Sequence, residues 1–331
     1  MRVVALRSSA ERTALGNTGR SPLFDDDRIE EEGVDLNLCV VAHVNEVLAQ
    51  CSLWWRDVPL LETHAIGVIG HYASVSDEAA AMLLDAALSH LRNQFCTLAV
   101  GPMDGNTWRS YRFVTDPGSE MPFVMEPTNP PEWPLQFELA GFSKLADYFS
   151  TLNTRLEVQD DRVAATMVNM AARGVTIHMA EKTKLQYELG RIYQLSRAAF
   201  TNNFLYTPIT EQAFRAQYAR VLPHVRPELV LLAERGSELV GYLFAIPDLA
   251  QAARGKPIDT FVIKTVAILP DANLRGLGSV LVARAHETGA QMGFSRCIHA
   301  LMHESNISRK ISDHYASTMR RYTLYSKEIA P

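Results

Sequence analysis

The sequence predicts an α/β (α+β) protein made of two tandem mixed-sheet domains, residues 1–155 and 156–331. Three observations predict it. A β-branched apolar run, residues 261–268, ends at Pro270 and passes through Gly276-Leu277-Gly278 into the helical pattern of Val280, Leu281, Ala283, Ala285, Ala290 and Met292. The order hairpin, strand, loop, helix, strand occurs before residue 150 and again after it. The 331 residues also exceed one typical domain and suit two of about 150 each.

Taken in order, residues 1 to 33 carry the runs Asp25-Asp26-Asp27 and Glu30-Glu31-Glu32 and read as a loosely ordered, solvated lead-in. Residues 36–44 and 46–54 are strands joined by a tight turn at Val44-Asn45, and residues 65–72 form a third. Residues 77–95 form a helix, because Ala80, Leu83, Leu84, Ala87, Leu88 and Leu91 recur at helical spacing behind a Ser76 or Asp77 cap. A short strand follows at 97–100. The stretch Asn129-Pro130-Pro131-Glu132-Trp133 is expected to stay out of helix, since each proline restricts its predecessor and lacks a donor. In the second half come a strand at 176–179, helices at 184–200 and 211–222, and a hairpin of 229–234 with 239–246 about Gly236-Ser237. The glycine-loop unit follows, and then strands at 297–302 and 320–327.

Composition is that of a globular protein, 47% apolar and 21% charged. A net charge of −5 gives no basic patch for nucleic acid. There is no run of 18 apolar residues to span a membrane, and Met1 to Arg7 is too short in apolar residues for a signal peptide. Cys39, Cys51, Cys96 and Cys297 form no Cys-x-x-Cys pair, so no metal is expected and free thiols fit best. A cytoplasmic location is expected.

A strand that runs into a glycine loop opening a helix is an anion site: first-turn N–H groups lack partners and the helix dipole favours negative charge. Gly276-Leu277-Gly278 lacks the Lys-Ser or Lys-Thr of a P-loop, and Leu281 stands where a dinucleotide fingerprint needs its third glycine. In the first half the matching loop is Ala73-Ser74-Val75-Ser76-Asp77-Glu78, whose carboxylates would repel a bound anion. With Pro270 ahead of it, Gly276-x-Gly278 resembles motif A of the GCN5-related N-acetyltransferase (GNAT) superfamily, with Asn273 in the place of that motif's Gln or Arg. Gly101-Pro102-Met103-Asp104-Gly105-Asn106 and Asn129-Pro130-Pro131-Glu132-Trp133 resemble loops of a bacterial group of tandem GNAT-like proteins, the YghO-like group, as does Phe200-Thr201-Asn202-Asn203-Phe204.

The resemblance implies two tandem GNAT-like folds, the first with a degenerate cofactor loop. It implies transfer of an acetyl or longer acyl group from acetyl-CoA or acyl-CoA to an amine, with a small-molecule amine or lipid-like acceptor. The loop residues Asn273, Leu274, Arg275, Gly276, Leu277, Gly278 and Ser279 would hold the pyrophosphate, and the backbone of Val266, Ala267 and Ile268 the pantetheine arm. Asn306 resembles an asparagine that contacts that arm, although an N-cap role suits it equally. Glu304 matches an acidic residue of the relatives and is the candidate base or water-ordering group, against a helix-capping or solvated role, with His303 a weaker candidate. Asn202, Asn203, Phe204 and Tyr206 suit an acceptor loop or a surface turn. The tyrosine that serves as acid in many relatives is absent: Asp313 stands there, and Tyr315 is two residues on. A pair of such folds that binds acyl-CoA without catalysis is the competing expectation.

Overall fold

The computed structural model describes residues 1–8, 10–11, 32–42, 46–158, 161–219, 221–305 and 314–330. Val44, Asn45, Asn306, Asp313 and residues 25–31 lie outside the described residues. Among the described residues thirteen strands form one sheet. The first half contributes β1 (Arg2–Leu6), β2 (Leu36–Val41), β3 (Val47–Trp54), β4 (Ile66–Ser74), β5 (Leu98–Gly101), β6 (Phe113–Asp116) and β7 (Ser143–Asn153). The second contributes β8 (Val175–Met179), β9 (Val230–Arg235), β10 (Glu238–Pro247), β11 (Thr260–Ile268), β12 (Arg296–His303) and β13 (Ser317–Glu328).

Each half repeats one plan. Antiparallel neighbours lead to a parallel pair, β4 with β5 and β11 with β12, bridged by a helix. These helices are α1 (Asp77–Asn93), capped by the Ser76 side chain, and, after α2 to α6, α7 (Leu277–Gln291). The order across the sheet is β1-β2-β3-β4-β5-β13-β7-β12-β11-β10-β9-β8, with β6 attached to β13. The halves therefore exchange strands. β13, from the end of the chain, lies between β5 and β7, and β7, from the first half, lies between β13 and β12.

The exchange is held by side chains as well as by the ladder. Tyr325 of β13 is 1% exposed within the first-half core, against Phe113 and Phe137, and its hydroxyl donates to Glu138 at 3.0 Å. That core is otherwise the apolar face of α1 (Ala80, Leu83, Leu84, Ala87, Leu91) on Leu38, Leu53 and Ile69. In the second half α7 buries Leu277, Leu281 and Ala285 against Phe261, Ile263 and Cys297. The opposite face is covered by α4 (Leu185–Phe200) and α5 (Glu211–Ala219) through Ile192, Tyr193 and Phe214.

Several expectations need correction. Residues 2–6 are a strand paired with β2, not loose chain, and Glu32 is tied down: its carboxylate lies 2.9 Å from His71 Nε2. Pro131 does not bar helix but begins one, α2 (Glu132–Leu139), sitting at the N-cap with φ −65 where no backbone N–H is needed. A further helix, α3 (Asp161–Ala172), packs on α7, and a short α6 (Leu249–Ala253) follows β10.

Candidate active site

β11 and β12 pair in parallel only from Thr260↔Arg296 to Ile263↔His299. Beyond Ile263 the two strands part. The ladder with β10 slips between Phe244 and Ala245, which leaves Lys264 as the extra residue of a bulge at the fork. Bulges re-aim strands next to functional sites. Past the bulge Val266, Ala267 and Ile268 stay paired with β10 (Leu243, Tyr242 and Gly241), and β12 no longer covers their other edge.

The loop after β11 is built before any ligand arrives. Asp271 accepts from Asn273 N at 2.8 Å and from Asn273 Nδ2 at 3.0 Å, and pairs with Arg235 at 3.0 Å. Asn273 thus spends its side chain on the loop itself, and its carbonyl accepts from Arg173. Leu274 and Leu277 are buried, so each offers only backbone, whereas Arg275 is exposed. Gly276 is the N-cap of α7 at φ +92, and a Cβ there would meet Thr166 Cγ2 of α3 at 2.8 Å. Glycine is needed at 276 on both counts. Ser279 N donates to Gly276 O at 3.1 Å, which leaves the amides of Leu277 and Gly278 as the first-turn donors without an intrahelical acceptor.

The first half has the same fork, filled by its own chain. β4 and β5 pair over Ile66↔Leu98 to Val68↔Val100, and a bulge follows at His71, φ +46. There Met103 N donates to Ile69 O at 2.9 Å and His71 N donates to Asp104 Oδ1 at 2.6 Å. A Cβ on Gly70 would lie 2.0 Å from Met103 O. The edge that β11 leaves uncovered by β12 is, in β4, occupied by residues 101–105.

At the second-half fork, segments of both halves converge. His303, at the end of β12, packs edge-on to Tyr148 of β7 at 4.9 Å and 5.5 Å from Phe204. Ser305 N donates to His303 Nδ1 at 3.1 Å, so the neutral ring carries its proton on Nε2. Burial, then the Arg112 charge, lowers the His303 pKa, so the ring is neutral at pH 7. Glu304 is exposed and lies 3.6 Å from Arg321 Nη1. Tyr206 packs on Trp108 at 6.1 Å, and Trp108 Nε1 donates to Thr207 O at 2.7 Å, so the first-half loop clasps the segment after α4. Asn202 and Asn203 are on its exposed turn. Burial, then Arg112, lowers Lys264 to about 8. Glu126 is buried and bonded to Arg320, Tyr322 and Phe123 N, and its pKa is raised by that burial.

Sequence reasoning left Arg112, Tyr148 and Lys264 out of the site. Only Lys264 carried a signal, as the one charge on an apolar strand. Arg112 and Tyr148 reach the fork through the strand exchange, which no local pattern encodes. Tyr315, the doubtful substitute acid, is buried against His286 at 5.0 Å. His286 and His299 meet Nε2 to Nε2 at 2.9 Å, and with Cys297 their ligand atoms lie within 4.8 Å. Burial lowers the two histidines to about 4 and about 3, and a hydrogen bond between neutral rings accounts for the contact. A depression bounded by His178, Glu188, Arg191 and Glu234 lies at the β8 edge, three strands from β11, and is lined by surface ion pairs.

Residues 189–310 match the acetyltransferase (GNAT) family model. That match lies wholly in the second half. Whole-chain structural likeness extends that fold to both halves. A tandem GNAT protein from the clavulanic acid biosynthesis pathway aligns over 100% of this chain and 99% of its own at TM-score 0.52 and 10% identity. A GCN5-related N-acetyltransferase from Sphaerobacter thermophilus aligns over 99% and 96% at TM-score 0.51 and 14% identity. A fungal multi-domain β-N-acetylglucosaminidase with a glucosamine N-acetyltransferase region aligns over 98% of this chain at TM-score 0.56 and 13% identity, and the chain spans 38% of that protein. Among curated proteins none matches the sequence. The fold of the chain is thus that of a tandem GNAT protein, and among the described residues only the first fork is filled by its own loop. Among the described residues no helix is long and apolar enough to cross a membrane.

Proposed function

We propose that the protein is an acyl-CoA-dependent N-acyltransferase that moves an acetyl or longer acyl group to a small-molecule or lipid-like amine in the cytoplasm. The observation that carries it is the contrast of the two forks: β4 is closed by residues 101–105, whereas among the described residues no backbone hydrogen bond closes the β11 edge at Val266–Ile268 that β12 leaves. An acyl-CoA fits that place, with its pyrophosphate on the amides of Leu277 and Gly278 and its arm along Val266, Ala267 and Ile268. When bound it supplies an activated thioester. Asn273 would contribute through the fold of the loop, Arg275 through its charge, and Asn306 by the family resemblance alone.

The chain's own residues must then hold an acceptor and move a proton. Glu304 is proposed as the proton acceptor, reached through water from its exposed position. His303 is better suited to donating: its Nδ1 is engaged by Ser305, so Nε2–H is the group it can present to a developing negative charge. That role would stand in for the missing tyrosine. Phe204 and Tyr206 would line the acceptor side. Thiol release from acetyl-CoA and longer acyl-CoAs, measured against an amine panel, tests this reading. Amine-dependent release supports it, and CoA binding without release for any amine would favour a non-catalytic binding module.

A further inference from the structure

Arg112 is 6% exposed, and its Nε and Nη1 are buried without a hydrogen-bond partner among the described residues. Its guanidinium carbon lies 3.8 Å from the ring centre of Tyr111 and 4.1 Å from that of Tyr148. The two rings, 5.5 Å apart and at 85° to each other, stabilise the cation from adjacent sides, but they leave its Nε and Nη1 donors unanswered. An arginine keeps its charge in any protein environment, so burying it without an anion is costly. Nearby carboxylates do not resolve it. Glu126 is committed to Arg320, Tyr322 and the Phe123 amide, and no ion pair joins Arg112 or Lys264 to a carboxylate among the described residues. Asp147 is bonded to Thr323, and Glu304 lies beside Arg321. The Tyr148 ring that covers Arg112 is the one that meets His303, and Lys264 stands at the bulge where β11 leaves β12.

We propose that Arg112 is the anchor for a carboxylate on the acceptor, so that the amine to be acylated belongs to an amino-acid-like molecule. The inference rests on the acyltransferase reading for the amine's fate, but the anion site stands on its own. The guanidinium is flanked by the two rings, and its unanswered N–H groups are donors that a carboxylate accepts through charge-assisted hydrogen bonds. The Lys264 ammonium, which donates to Met125 O at 3.4 Å, feels the Arg112 charge and adds to the positive potential there. The residue comes from the first half, which gives the half without an open fork a part in selecting the acceptor.

Calorimetry on the full chain with CoA present tests this. The probes are the twenty common L-amino acids, each against its own carboxamide, and phosphoethanolamine against ethanolamine. At least one amino acid should bind tenfold or more tighter than its carboxamide, and Arg112→Met should abolish the difference while leaving CoA affinity unchanged. Arg112→Lys, which keeps charge without the fork, should restore part of it. The wild-type comparison needs no variant to fold. If no amino acid is preferred over its carboxamide, or only phosphoethanolamine over ethanolamine, the carboxylate anchor is wrong. A carboxylate preference without thiol release would uphold the anchor and strike the acyltransferase reading instead.

Discussion

At the scale of single residues, Glu304 and Lys264 give opposite kinds of test. An amine acceptor with a pKa near 10 arrives protonated at pH 7. If Glu304 takes that proton, Glu304→Gln should lower turnover by about 10²–10⁴, with CoA affinity held. The deficit should shrink as pH rises toward the amine's pKa, because free amine then needs no base. Steady-state rates from pH 7 to 10 check it, and wild-type turnover across that range would remove Glu304 from the mechanism. For Lys264 the sign runs through stability. Its folded pKa, about 8, lies below the ordinary 10.5, so between those values the unfolded chain holds more protons than the folded one. Stability therefore rises with pH across that window. The wild type should gain on Lys264→Met from pH 8 to 10.5 in denaturant midpoints, and parallel midpoint curves would contradict the lowered pKa. The sequence showed the loop glycines and the charge of Lys264, because both stand out locally. It hid Arg112, whose meaning depends on Tyr148, far away in the chain and brought near by β7.

At the scale of elements, local pattern identified α1, α4 and the hairpin of β9 with β10, whose apolar positions repeat at one period. It missed β7, a strand buried on both faces from Tyr148 to Thr151, so that the alternation of a one-sided strand is blurred. It missed α3, whose exposed Met167 and Val168 weaken the contrast between faces. Pro131 misled by being read as a breaker rather than as a helix start. The exchange of β13 makes a stability prediction that neither half would make alone. Tyr325→Ala removes an aromatic from the first-half core and should cost about 3–5 kcal/mol. Chemical denaturation with Trp133 fluorescence, which reports that core, would show the loss. A cost below that of an exposed substitution would mean that β13 is not part of the first-half core.

At the scale of the whole molecule, the boundary expected near residue 155 does not divide the sheet. β12 takes its next neighbour from the first half, and β5 takes its own from the second. A fragment of residues 156–331 should therefore lack a cooperative thermal transition by circular dichroism, and co-expression with residues 1–155 should restore one. A fragment that melts cooperatively and binds CoA as the full chain does would show that the exchange is dispensable.

The central claim is that one fork of the two receives acyl-CoA. Gly276 is a poor place to test it, since any side chain there meets Thr166 and a left-handed backbone. Gly278 is better. An aspartate in the first turn of α7 suits the helix dipole, so the fold should hold, while its charge opposes a pyrophosphate. Calorimetric titration of acetyl-CoA into the full chain should give one molecule bound, weakened about tenfold or more by Gly278→Asp, a loss of at least about 1.4 kcal/mol. The same charge placed in the first-half loop by Val75→Asp should change nothing. Two molecules per chain, or an unchanged affinity in Gly278→Asp, would contradict the account.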